Sequence, residues 1–104
     1  MDRTARLLDF LKANPNDSFL QHALALEYIK TGDDAAAKEM FETILTRDPH
    51  YTGSYYHLGK LLERSGETQM AIAWYKKGMA VTKALGDNHS YNELKAVYED
   101  LVDM

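Results

Sequence analysis

The chain reads as an all-α protein of six antiparallel helices built on a duplicated unit, and three observations lead to that reading. Residues recur at an interval of 34: Pro15 with Pro49, Gly32 with Gly66, Leu24 with Leu58, Ala25 with Gly59, Ala37 with Ala71 and Phe41 with Tyr75. Six coincident pairs of matching type at one interval mark an internal repeat. Within each unit the apolar residues keep helical spacing. Ala37, Met40, Phe41, Ile44 and Leu45 fall at i, i+3, i+4, i+7 and i+8, and Ala71, Trp74, Tyr75, Gly78 and Met79 restate the pattern one unit later. Between the stripes stand Asn14-Pro15, Gly32, Asp48-Pro49 and Gly66, which are helix stops, and no alternating strand pattern competes.

Taken in chain order, the first helix is expected over 3–13, where the residue before Pro15 cannot continue it. The second, over 17–31, has a broad apolar face of Leu20, Ala23, Leu24, Leu26, Tyr28 and Ile29. Gly32 ends it in the left-handed conformation, and Asp33 suits the positive N-terminal end of the next helix, over 34–47. Asp48-Pro49 stops that helix. The fourth, over 51–65, carries a stripe of Tyr51, Tyr55, Leu58 and Leu62, and Gly66-Glu67 repeats the earlier punctuation before a fifth helix over 68–85. The sixth is expected over 90–103, with Ser90 and Glu93 as a capping box. The wider apolar faces predict that the first helix of each unit is the more buried.

Composition narrows the function classes. A chain of 104 residues is the size of one domain, and its 45% apolar and 27% charged residues describe a folded globular protein rather than a disordered one. Twelve basic residues scattered against sixteen acidic ones give a net charge of -4, without the clustered footprint of a nucleic-acid binder. No apolar run reaches the ~18 residues of a membrane span. The opening MDRTARLLDFL lacks the apolar core and cleavage site of a signal peptide, so no membrane association and a cytoplasmic location are expected. Without cysteine there is no disulfide, thiolate zinc site or cysteine nucleophile. Gly53 and Gly59 in GSYYHLGKLLE do not form a phosphate loop: five residues separate them, and Leu61 stands where a hydroxyl should hold magnesium.

A unit of 34 residues with an aromatic, Leu and a small residue, Gly-acid, Ala, an aromatic and a closing Pro resembles the tetratricopeptide repeat. Tyr55, Leu58, Gly59, Leu62, Gly66, Ala71, Tyr75 and Gly78 carry the resemblance in the second unit. Leu24, Ala25, Tyr28, Gly32, Ala37, Phe41, Ile44 and Pro49 carry it in the first, where Gln21 replaces the expected bulky aromatic. The resemblance implies a right-handed superhelix of three helical hairpins forming a single domain over 1–104. That domain holds a half-repeat or capping helix at 3–13, repeats at 18–51 and 52–85, and a capping helix at 90–103, whose Tyr91, Leu94 and Tyr98 resemble a following first helix. Lys83 departs from the pattern where a proline is due, with ALGDN inserted before the last helix.

The family lines its concave groove with residues of the first helices that are not needed for packing. Here those positions map to Phe19, His22, Leu26, Ile29 and Lys30 in one unit and to Tyr56, His57, Lys60, Glu63 and Arg64 in the next. The implied function is a non-catalytic protein-protein interaction module that binds a peptide or partner protein in that groove. Self-association into a homo-oligomer is the alternative. The family's carboxylate clamp for acidic chaperone tails maps to His22, Leu26 and His57, with His89 and Glu93 on the last helix. Glu93 has the wrong sign for that ligand, so no chaperone-tail binding is expected. His22 and His57 have no carboxylate at ligand spacing and no His-Glu-x-x-His motif beside them, so neither a metal nor a cofactor is expected. Ser54, Tyr56, His57 and Lys60 share one open helix with no converging second group, so no catalytic residue is assigned and no enzyme is expected.

Overall fold

The computed structural model describes residues 2–104 and contains six α-helices: α1 (Arg3–Ala13), α2 (Ser18–Lys30), α3 (Asp34–Arg47), α4 (Gly53–Arg64), α5 (Thr68–Leu85) and α6 (Asn88–Val102). Among the described residues there is no strand. The helices form two compact units, one of α1 to α3 ending at Asp48 and one of α4 to α6 beginning at Pro49.

Three of the turns share one construction. Gly32, Gly66 and Gly86 have φ of 85°, 78° and 72°, the left-handed region that glycine enters without steric penalty. The acidic residue after each donates its backbone N–H back across the turn, Asp33 to Tyr28, Glu67 to Leu62 and Asp87 to Thr82, at 2.8 to 2.9 Å. That bond satisfies a carbonyl otherwise orphaned at the helix end. Asp33 and Asp87 then cap the following helix, accepting from the Ala36 and Ser90 backbone N–H groups, and Asp2 and Asp17 cap α1 and α2 in the same way.

The third of these turns corrects one expectation. The last helix starts at Asn88 under an Asp87 cap, so Ser90 lies inside it and is not the capping residue. Asp87 offers its carboxylate three residues earlier, and Gly86 ends α5 immediately before it. Within ALGDN, Ala84 and Leu85 complete α5, which spans 68–85 as expected and reaches 18 residues against 14 in α3. Tyr51 also lies outside a helix, because α4 begins at Gly53 and not at residue 51.

In the first unit, Leu7 of α1 is buried with Ala23 and Leu24 of α2, and Leu11, Leu20, Tyr28 and Met40 pack against them. In the second unit the helices approach through glycine. A methyl group at Gly59 would overlap the Tyr75 ring, and one at Gly78 would lie 2.7 Å from Tyr55 Cβ and 2.8 Å from Leu94 Cδ1. The first helix of a unit is the more buried only in the second unit. There α4 buries six residues to four in α5, whereas α2 and α3 each bury four.

Gln21 departs from the repeat's pattern in residue type but not in its contact. The Tyr55 hydroxyl donates to the Pro49 carbonyl at 2.7 Å, and 34 residues earlier the Gln21 Nε2 donates to the Pro15 carbonyl at 3.0 Å. A glutamine brings an acceptor as well, and Arg47 Nη2 donates to its Oε1 at 2.7 Å while also reaching Ser18 Oγ at 3.0 Å. Ser18 in turn donates to Asp48 Oδ2. Gln21 is therefore buried with both ends of its amide satisfied.

Candidate partner-binding faces

On α2, seven residues make two helical turns, so Phe19 and Leu26 lie on one line of the surface. Phe19 is 70% exposed and Leu26 36%, the first an unusual exposure for a large aromatic. His22 and Ile29 are half-buried beside them and Lys30 is exposed. The His22 ring meets Phe41 edge-on at 5.5 Å, which anchors that side of the face to α3. Neither Phe19 nor Leu26 belongs to the cluster in which Leu7 of α1 is buried with Ala23 and Leu24, and α1 is further tied to α2 by an Arg3 Nε to Glu27 Oε1 ion pair at 2.9 Å.

The α4 face is more polar. Tyr56 and His57 are half-buried with their rings edge to face, 5.6 Å apart, and Lys60 and Arg64 are exposed. Burial pushes the His57 pKa below its ordinary 6.5, and the Glu93 carboxylate of α6 opposes that shift. His57 is accordingly neutral at pH 7, and the positive charge of this face resides in Lys60 and Arg64. Glu63 is turned toward the protein: it accepts from the Tyr75 hydroxyl and lies 3.7 Å from Lys60 Nζ. Desolvation and this hydrogen bond hold the Tyr75 phenol well above its ordinary 10.0. Sequence reasoning placed Glu63 in the groove and missed Tyr75 as its partner. The signal was a paired change, since the first unit has Ile29 and Phe41 where the second has Glu63 and Tyr75.

Among the described residues no three His, Cys, Asp or Glu are placed to hold a metal ion, and no helix is long and apolar enough to cross a membrane. The paired hairpins, their glycine turns and their 34-residue interval agree with comparison to known proteins: the tetratricopeptide repeat model matches residues 20–51 and 52–88. The chain belongs to the tetratricopeptide repeat family. A tetratricopeptide repeat domain protein from Salinibacter ruber, solved in solution, is 38% identical, with a TM-score of 0.80 over 84% of this chain and 88% of that one. A crystal structure of a tetratricopeptide repeat domain protein from the same organism gives 36% identity and a TM-score of 0.80 over 85% and 98%. A protein from Bordetella parapertussis is 25% identical, with a TM-score of 0.84 over 99% and 90%. No curated protein matches the chain. Tetratricopeptide repeats are non-catalytic scaffolds that generally mediate protein-protein interaction.

Proposed function

We propose that this tetratricopeptide repeat chain is a non-catalytic interaction module that receives a peptide segment of a partner protein on the exposed faces of its first helices. The residues assigned to contact the partner are Phe19, His22, Leu26, Ile29 and Lys30 on α2 and Tyr56, His57, Lys60, Glu63 and Arg64 on α4. The observation that carries this reading is the aligned exposure of Phe19 and Leu26, apolar side chains that stand outside the buried cluster of Leu7, Ala23 and Leu24. On the α4 face, Lys60 and Arg64 favour acidic side chains. Glu63 serves mainly to orient, since it is engaged by Tyr75 and Lys60.

Selection of a random-peptide library on the intact chain, followed by titration of the recovered peptides, tests the assignment. Peptides enriched on the wild type should bind a Phe19→Asp, Leu26→Ser variant at least about tenfold more weakly, the scale of one lost apolar anchor. Both changes are at exposed positions, so the melting curve should move little. Peptides that bind wild type and variant equally would remove the α2 face from the interface. Light scattering that shows mass rising with concentration would favour self-association instead.

A further inference from the structure

The first unit contains a pocket at positions where the second unit carries, at four of six places, a larger side chain. An opening of about 300 Å³ is lined by Gln21 and Tyr28 of α2 and by Ala36, Glu39, Met40 and Thr43 of α3. Advanced by 34 residues, four of those positions carry larger groups: Tyr55 for Gln21, Met70 for Ala36, Trp74 for Met40 and Lys77 for Thr43. In the second unit the Trp74 ring centre lies 6.2 Å from that of Tyr55, and the Lys77 ammonium sits 5.2 Å from the indole centroid. The molecule thus shows in one repeat what group is missing in the other.

We propose that this pocket is a recognition site for an aromatic side chain of a partner protein, an indole by preference, accompanied by a basic residue of the same partner. A volume at the low end of the ~300 to 1,000 Å³ range of ligand pockets suits one ring system rather than a whole cofactor. The Met40 thioether and the Tyr28 ring offer a polarizable, aromatic wall of the kind that favours such a group. Glu39 stands at the mouth, and an adjoining hollow adds Glu42, Thr46 and Arg47. Arg47 is directed at Gln21 and Ser18, so two carboxylates there face a single cation with other bonds to keep. That charge balance calls for a basic companion to the ring, as Lys77 accompanies Trp74. The site is separate from the faces proposed above. Gln21 and Phe19, two positions apart on α2, point about 200° apart around the helix.

The test is an NMR titration of the full chain, resolving backbone amides and the methionine methyl groups, with the acetylated and amidated pentapeptide Ala-Trp-Ala-Ala-Lys. Shifts are expected at Tyr28, Ala36, Met40 and Thr43. They should disappear when Ala replaces the peptide's Trp, and weaken about 3- to 5-fold when Glu replaces its Lys, with that gap narrowing in high salt. Met40→Trp, which fills the pocket as Trp74 does, should abolish the response, while Met40→Leu should keep it. Thr43→Lys, a change at an exposed position, puts an ammonium where the second unit has Lys77. It should block the mouth, and it keeps the test decisive should Met40→Trp fail to fold. No shifts up to the peptide's solubility limit, shifts centred elsewhere, an equal response to the Trp-free peptide, or binding unaffected by a folded filling variant would each overturn the proposal.

Discussion

Gln21 and Tyr55 bind equivalent carbonyls with unlike side chains, and the difference gives a direct prediction. Gln21→Ala removes the donor to Pro15 and leaves Arg47 without the amide acceptor, and should destabilise the chain by about 2 kcal/mol, as for a buried hydrogen-bonded group. Gln21→Tyr keeps a donor and gains the open volume beside it, and should stay within about 1 kcal/mol of the wild type in urea unfolding. Tyr75→Phe removes the donor to Glu63 and should lower stability by about 1 kcal/mol. His57 brings a pH dependence. Its folded-state pKa lies below the unfolded 6.5, so its contribution is full above pH 6.5 and is lost as pH falls from there through the folded value. Urea midpoints at pH 7.5 and 5 should differ less in a His57→Asn variant than in the wild type. Residues whose role is to be apolar at helical spacing, such as Phe41 and Leu58, were readable from the sequence because the helix fixes that spacing. The role of Gln21 was not, because its partners Pro15 and Arg47 meet it only once the chain has folded.

The helices themselves followed the sequence closely, since glycine and proline act on the backbone locally. The start of α6 escaped because two caps competed, and Asp87 is used ahead of Ser90. The helix contacts make Gly59 the more exacting glycine. Gly59→Ala gains about 1 kcal/mol of helix propensity but drives a methyl into the Tyr75 ring, and should destabilise by about 2 kcal/mol net, visible as a lower melting temperature. Ala25 holds the equivalent place in α2, so the reverse change there, Ala25→Gly, should cost about 1 kcal/mol through propensity and a little more through lost packing. Tyr55→Ala, which removes a fully buried ring and its hydrogen bond, should cost about 3 to 5 kcal/mol.

Across the whole molecule, the helices differ in how firmly they are held. α1 buries Leu7 alone and α6 buries Leu94 alone, while each helix between them buries four to six residues. Amide hydrogen exchange should therefore be fastest in α1 and α6 and slowest in α4, the order expected from that difference in burial. Uniform protection along the chain would contradict it. The identity of a partner lies outside what such a pattern encodes, because the positions that set the fold are spent on packing and the remaining ones vary without a period.

The extra length of α5 bears on how arrays of this kind can change size. Its four residues beyond the length of α3 exceed one helical turn by only about 40° of rotation. A side chain carried past the insertion returns almost to its former heading, one pitch further along the axis. The glycine-acid turn then closes the longer helix with the same bonds that close α2 and α4. Growth in steps of whole turns, sealed by an interchangeable turn, lets such a chain vary the reach of a hairpin while keeping the faces its neighbours need.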